Sequence, residues 1–259
     1  MDLGLHGQVV FVAGSSRGIG KAIATALLRE GARVVLTGRD AEALEQATAD
    51  LATKESYQRI LPVLGDMGDA AAIADAYART LSHWGRLDHL IANVGTGSGK
   101  PGWDHTDEEW TRLFEANFFA SVRLTQAALP LLLKNEAGGS VLYIGSIVGA
   151  EATPAPLPYS AAKAALMNYS KNLARQLGPQ KVRVNTIAPG NIYFEGGTWE
   201  KHLATRREQV EHMLQTEVPL RRFGAPEEIA SLAAWLCSSQ AGFATGGCYV
   251  VDGGQTRSL

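Results

Sequence analysis

Two patterns of apolar residues alternate along this chain. Some stretches are continuously apolar, and in others apolar positions return every three or four residues. The first stretch, QVVFVAG (8–14), is uniformly apolar and rich in β-branched residues, which predicts a strand buried on both faces. The next, IGKAIATALLREGA (19–32), has helical spacing and stops at Gly31. RVVLTG (33–38) predicts a second strand, and DAEALEQATADLA (40–52) a helix capped by Asp40. The same reading puts strands at 59–64, 87–92, 140–146, 181–187 and 248–251. It puts helices at 69–84, 107–116, 117–134, 158–177 and 226–238. Apolar strands, each followed by a helix, imply a parallel sheet covered on both faces. Right-handed crossovers make it an α/β, doubly wound sheet of seven strands.

No linker divides residues 1–259, so a single domain is expected. Residues 191–220 break the alternation with a loop and a polar helix. An insertion after a strand's carboxyl end is where a substrate lid would sit; a surface helical hairpin is the plainer alternative.

Composition changes this picture little. The chain is 46% hydrophobic and 19% charged, with a formal net charge of −2, as in ordinary globular proteins. That balance argues against a nucleic-acid surface or an anionic membrane as partner. The N-terminus has no basic region followed by an apolar run, so no signal peptide is expected, and no apolar run approaches the roughly 20 residues that span a bilayer. Cys237 and Cys248 read as two buried free thiols, which suits a cytoplasmic protein. No pair of histidines has the spacing of a helical zinc site, so no metal is expected.

Chemistry enters at VAGSSRGIG (12–20), which joins the first strand to the first helix. Gly14 permits a tight exit, while Gly18 and Gly20 let backbone and helix approach a pyrophosphate at the helix N-terminus. The spacing is G-x-x-x-G-x-G rather than the commoner G-x-G-x-x-G. After the second strand, where NAD enzymes place an acid for the ribose hydroxyls, this chain has Gly38 followed by Arg39. Arg17 lies inside the glycine turn. Two guanidinium groups converging on a 2′-phosphate would favour NADP(H) over NAD(H); as solvated surface charges they would not discriminate. Asp40 is able to accept a ribose hydrogen bond, but helix capping accounts for it.

Taken in order, AGSSRGIG (13–20), GDM (65–67), ANVG (92–95), Asn117 in EANFFAS, GSIVG (145–149), YSAAK (159–163), APGNI (188–192), RRFGAPEEIA (221–230) and TGGCYVVDGG (245–254) resemble the short-chain dehydrogenase/reductase family over essentially the full length. The resemblance implies a Rossmann fold and a carbonyl–alcohol interconversion by hydride transfer. It makes Tyr159 the acid/base. Lys163, one helical turn on, would lower the phenol's pKa and bind the nicotinamide ribose. Ser146 would hydrogen-bond the substrate oxygen, and Asn117 would hold a water in a proton relay to Lys163. Gly14, Ser16, Arg17, Gly18, Ile19, Gly20 and Arg39 would bind the phosphates. Asp66 and Met67 would lie beside the adenine, Asn93 and Gly95 in the turn of the central strand, and Pro189, Gly190 and Ile192 along the carboxamide. A homotetramer is implied as well.

Two departures stand out. Ala13 replaces the usual Thr, which implies a lost hydrogen bond in the glycine turn. Phe194 occupies the position of a cofactor-bonding Thr, with Thr198 a candidate substitute. The substrate is expected to be a small or medium carbonyl or alcohol. A 3-oxoacyl thioester on acyl-carrier protein is the alternative, although the lid's Lys201, Arg206 and Arg207 alternate with Glu195, Glu200 and Glu208 instead of forming a basic patch. Trp103, Tyr193, Phe194 and Trp199 would either line an apolar pocket or pack the lid down. A reading from another class, a catalytically silent NADP(H) sensor, is opposed by the intact Ser146–Tyr159–Lys163 set.

Overall fold

The computed structural model describes residues 2–257, which form one seven-stranded, wholly parallel sheet in the order β3-β2-β1-β4-β5-β6-β7. Its strands are β1 (Val9–Ala13), β2 (Arg33–Gly38), β3 (Ile60–Leu64), β4 (His89–Ala92), β5 (Gly139–Ile144), β6 (Val182–Pro189) and β7 (Cys248–Val251). Side chains alternate across the sheet. Val10 and Val12 of β1 join one core cluster, while Val9, Phe11 and Ala13 join the other. The first cluster is closed by α1 (Gly18–Arg29), α2 (Ala41–Leu51) and α8 (Pro226–Cys237), through residues such as Leu27, Leu44 and Ile229. The second is closed by α3 (Ala70–Trp84), α5 (Ala120–Leu132) and α6 (Leu157–Leu177), through Ile73, Leu124 and Leu166. Strands buried on both faces are why each reads as an unbroken apolar run.

Local chemistry sets the boundaries. Asp40 caps α2 by accepting from the Ala43 N–H, and Asp69 caps α3 by accepting from Ala72. Each cap is worth about 1 kcal/mol. Gly85, at φ +72, ends α3 in the left-handed region. Pro62 stands in β3, an edge strand, where a missing N–H is tolerated. The strand order reverses between β1 and β4, so a crevice opens at their carboxyl ends, the usual place for a ligand in such a sheet. No helix among the described residues is long and apolar enough to cross a membrane.

Two expectations need correction. The predicted helices 107–116 and 117–134 are a single helical run. Here α4 (Asp107–Phe114) passes through a π-helical turn, Glu115–Phe119, directly into α5. The cysteines also differ from one another. Cys237 is buried at the end of α8, but Cys248 is exposed, because β7 is the other edge of the sheet. Of residues 191–220, Thr198–Glu217 form α7, which kinks at Arg206 (φ −150, ψ 47).

At the amino ends of the central strands, a polar cluster sits inside the core. His89 bonds Ser140 Oγ through Nδ1, at 2.8 Å, and Gln8 Oε1 through Nε2. Burial, together with the nearby Arg183 and Arg86 guanidinium groups, pushes the imidazole down to about 4 from 6.5, and Asp88 opposes this only in part. A base whose folded pKa is depressed binds fewer protons folded than unfolded between those two values, so stability is lost as pH falls through that window. Unfolding free energy should therefore drop by about 3 kcal/mol between pH 6.5 and 4 on account of His89. In urea titrations, His89→Gln should flatten the pH dependence by that amount; an unaltered slope would remove His89 as its source.

Candidate active site

The turn between β1 and α1 is built by close approach. Gly14 (φ +70) and Gly18 (φ +54) lie in the left-handed region. A Cβ on Gly20 would stand 2.1 Å from the Gly14 carbonyl oxygen, so only glycine lets the helix start this near the strand. That carbonyl accepts from Asn93 Nδ2 at 2.8 Å, which ties the end of β4 to the glycine turn. The Gly14 N–H donates to Thr37 Oγ1 at 2.9 Å, so a threonine on β2 supplies a side-chain bond to a turn that Ala13 leaves without one. No side chain caps α1. A helix N-terminus with no capping side chain, and a turn with no room for a Cβ, fit a pyrophosphate. Ser16 lies against Gly38, where a Cβ would come within 3.1 Å of it, and Ile19 packs on the core below.

The adenosine end is arranged differently from the sequence expectation. The Arg39 guanidinium lies 3.5 Å from the Asp66 carboxylate, with its side chain 76% exposed. Arg17 is exposed and points toward the lid, 3.9 Å from where a Cβ on Gly196 would be. Asp66 also accepts from the Gly68 N–H at 2.9 Å, while Met67 is buried beneath.

At the other end of the crevice, α6 carries Tyr159 and Lys163 on one face. The serine turn, Ser146 and the 3-10 turn Ile147–Gly149, abuts that helix. Gly149 makes this possible, since a Cβ there would fall 2.7 Å from the Lys163 carbonyl carbon. Lys163 is only 4% exposed, and its ammonium donates to the Ile144 carbonyl at 2.9 Å. Burial lowers its pKa to about 8. The Nζ stands 6.0 Å from the centroid of the Tyr159 ring.

Burial raises the Tyr159 pKa, and the nearby Ser146 hydroxyl pulls it back only partly. This is opposite to the expected lowering. The Lys163 ammonium, itself weakened by burial, does not outweigh desolvation of the phenolate.

Asn117 is fully buried in the π-turn. Its Nδ2 donates to the Leu113 and Thr96 carbonyls, both at 2.9 Å, and its Oδ1 accepts from the Thr96 N–H at 3.0 Å. The amide thus ties the widened turn both to the preceding turn of α4 and to the loop after β4. Gly95 is the meeting point. A Cβ there would lie 2.5 Å from Asn117 Oδ1 and 3.4 Å from Lys163 Nζ. At Gly97 the same loop approaches the Tyr159 ring, 3.6 Å from the position of a Cβ. Ser146, Tyr159, Lys163 and Asn117 thus share one site with Gly95.

The segment after β6 closes the far side. The Gly190 N–H donates to the Val251 carbonyl at 3.0 Å, and a Cβ on Gly190 would meet Asp252 at 2.7 Å. Pro189 ends β6, and Ile192 is buried in an isolated bridge to Gly224. Phe194 is wedged between two glycines. Its ring carbons lie 2.7 Å from a Cβ built on Gly18 and 3.1 Å from one built on Gly197. Thr198 is exposed and opens α7. Tyr193 and Trp199 pack on Phe223, with ring centroids at 5.8 and 5.3 Å, so these aromatics hold the lid to the domain; Trp103 stands 83% exposed.

Sequence reasoning missed Thr37, Gly149 and the Ile144 carbonyl. The second glycine of GSIVG was the one available signal for Gly149. A backbone acceptor and a cross-strand hydroxyl leave no trace in spacing.

Comparison with known proteins agrees with this geometry. A family model described as enoyl-(acyl carrier protein) reductase matches residues 13–256. The 3-oxoacyl-[acyl-carrier-protein] reductase of Aquifex aeolicus is 31% identical over 254 residues, covering 98% of this chain and 99% of that protein. The L-sorbose reductase of Gluconobacter frateurii, solved with NADPH and L-sorbose, superposes with a TM-score of 0.93 at 32% identity, covering 100% of both chains. A 7α-hydroxysteroid dehydrogenase solved with NADH gives 0.88 at 30% identity, covering 100% of this chain and 98% of that one. With the match running almost end to end in both sequence and fold, the chain belongs to the short-chain dehydrogenase/reductase family of nicotinamide-dependent oxidoreductases.

Proposed function

We propose that this protein is an NADP(H)-dependent reductase of a small or medium carbonyl compound. The observation that carries this is the convergence of a half-buried, protonated phenol with a hydroxyl and an ammonium at one point. When bound, the nicotinamide supplies the hydride that reaches the carbonyl carbon. As negative charge develops on the substrate oxygen, the Ser146 hydroxyl donates a hydrogen bond to it and Tyr159 delivers its proton. A phenol with a raised pKa is protonated at neutral pH, which is the state that reduction needs. The Lys163 ammonium stabilises the phenolate left behind, and Asn117 fixes the Thr96 loop that passes beside that lysine.

The NADP(H) preference rests on Gly38 and Arg39. No carboxylate stands at the end of β2 to bind ribose hydroxyls, and Arg39 is held only by an exposed pair with Asp66. Such a pair is worth about 1 kcal/mol or less, so a 2′-phosphate readily captures the guanidinium. The sorbose reductase, solved with NADPH, favours the same reading; the steroid dehydrogenase, solved with NADH, favours the alternative.

A 3-oxoacyl thioester on acyl-carrier protein is the second substrate reading, favoured by the Aquifex relative. The lid gives it little support, because its basic residues alternate with acids and Arg207 is paired with Glu211 at 3.1 Å. We also propose a homotetramer. The fully exposed Phe243 and the exposed Val250 of edge strand β7 provide apolar surface for a second copy. Light scattering should return about four times the 27.6 kDa chain mass, and a monomer would end this proposal.

Four measurements test the chemistry. Tyr159→Phe should lower NADPH-driven turnover by at least about 100-fold while NADPH binding stays unchanged; an undiminished rate would remove Tyr159 from proton transfer. Tight NADPH binding with no turnover on a panel of ketones, ketoses and 3-oxoacyl thioesters would instead favour a silent sensor. Arg39→Ala should weaken NADPH by about tenfold and leave NADH nearly untouched, and equal losses would refute the 2′-phosphate role. Lys163 is charged below its pKa of about 8 and neutral above it. Reduction should therefore slow as pH rises through about 8, and a flat kcat/KM profile from pH 7 to about 9.5 would contradict the role given to the lysine.

A further inference from the structure

We propose that the C-terminal segment Asp252–Arg257 is a strap that positions the substrate lid against the loop behind Ser146, with Gln255 and Glu151 as its positioning residues. This rests on reading residues 191–220 as the substrate lid.

The strap has a fixed shape. The Asp252 carboxylate accepts from the Gly254 N–H at 2.8 Å and from the Thr256 N–H at 2.7 Å. Gly253 (φ +68) and Gly254 (φ +86) turn the chain through left-handed conformations. From there it reaches three places. At the start of the lid, Asn191 Nδ2 donates to Gln255 Oε1 at 2.9 Å and also touches Met213 Sδ of α7 at 3.3 Å. At the end of the lid, the Leu220 N–H donates to the Gly253 carbonyl at 3.1 Å, and the Arg257 guanidinium pairs with Glu217 at 3.1 Å. Behind the serine turn, both oxygens of Glu151 accept from the Arg257 backbone N–H, at 2.9 and 3.1 Å. The Glu151 N–H in turn donates to the Ile147 carbonyl at 3.0 Å, inside the turn that Ser146 opens.

One six-residue segment therefore grips both ends of the insertion and the support of Ser146. Backbone strain lies in the same place. Arg221 is a non-glycine residue at φ +53, next to the lid's end, and its N–H donates to the Val218 carbonyl at 2.8 Å. Such a conformation persists where surrounding contacts over-determine it. No single bond of the strap is strong, since most are exposed. Their common effect is to reduce the conformations open to the lid, and so to prepare the substrate pocket before substrate arrives.

The test uses the whole protein with Gln255→Ala, Glu151→Ala and the two together. Gln255→Glu, which keeps an acceptor for Asn191, and Arg257→Lys, which keeps the pair with Glu217, are the conservative controls. Trypsin reports lid opening directly at Lys201, Arg206 and Arg207, which are exposed around the α7 kink. The double variant should be cut about fivefold faster and should raise KM for the carbonyl about fivefold, with kcat and the NADPH dissociation constant within about twofold. Both controls should behave as the parent protein. Parent-like cleavage and KM in a double variant that still melts cooperatively would overturn the strap. Should the double variant not fold, the contrast between Gln255→Ala and Gln255→Glu carries the test, and equal behaviour of those two would overturn it. Faster cleavage without turnover on any carbonyl would leave the strap standing and sink the reductase reading. Turnover with unchanged cleavage and KM would do the reverse.

Discussion

An ammonium group held almost out of water is the constraint around which this site is built. Burying a charge costs several kcal/mol unless polar partners replace the lost water. Lys163 has one such partner in the Ile144 carbonyl, at the carboxyl end of β5, and it remains protonated only below a pKa of about 8. Most features nearby serve to bring backbone close to it. Gly95 passes beside the Nζ where no Cβ fits, Gly149 lets the serine turn lie on α6, and Asn117 fixes the Thr96 loop from the other side. The phenol on the preceding turn responds to desolvation in the opposite sense, with its pKa raised. Desolvation that weakens the lysine also keeps Tyr159 protonated.

The two ends of the crevice follow different physical rules. At the glycine turn, affinity comes from exposed backbone N–H groups and from the absence of side chains, and the fit is steric. At the Tyr–Lys end it comes from desolvated charge. The adenosine edge lies between them in character. There Arg39 and Asp66 pair loosely in solvent, and the guanidinium is available to whichever anion binds it better.

The seven strands were legible because a strand with helices on both faces has no choice but to be apolar throughout. The glycine turn and the Tyr159/Lys163 pair were legible because sterics and helical periodicity fix their spacing. What escaped was set by neighbours remote in sequence. Cys248 sits in an apolar run yet is exposed, since nothing in a run tells an edge strand from a central one. The residue replacing the missing turn threonine proved to be Thr37, on a different strand. Burial reversed the expected direction of the Tyr159 pKa, and burial is a property of the assembled core. Phe194 looked like a lost polar contact, and its seat between Gly18 and Gly197 depends on how the lid folds back.

The π-turn at Glu115–Phe119 has a consequence for how this chain tolerates change in length. It amounts to one surplus residue threaded into an otherwise regular helix. Removing a single residue there would let the helix become uniform, and the local backbone would be better bonded than before. Every side chain beyond the deletion would then swing around the axis by about 100°. Leu124, Ala128 and Leu132 would leave the core, and Asn117 would lose its bond to the Leu113 carbonyl. The apparent defect thus works as a phase adjuster. It lets one continuous helix bury α5 correctly at one end while aiming an amide into the crevice at the other.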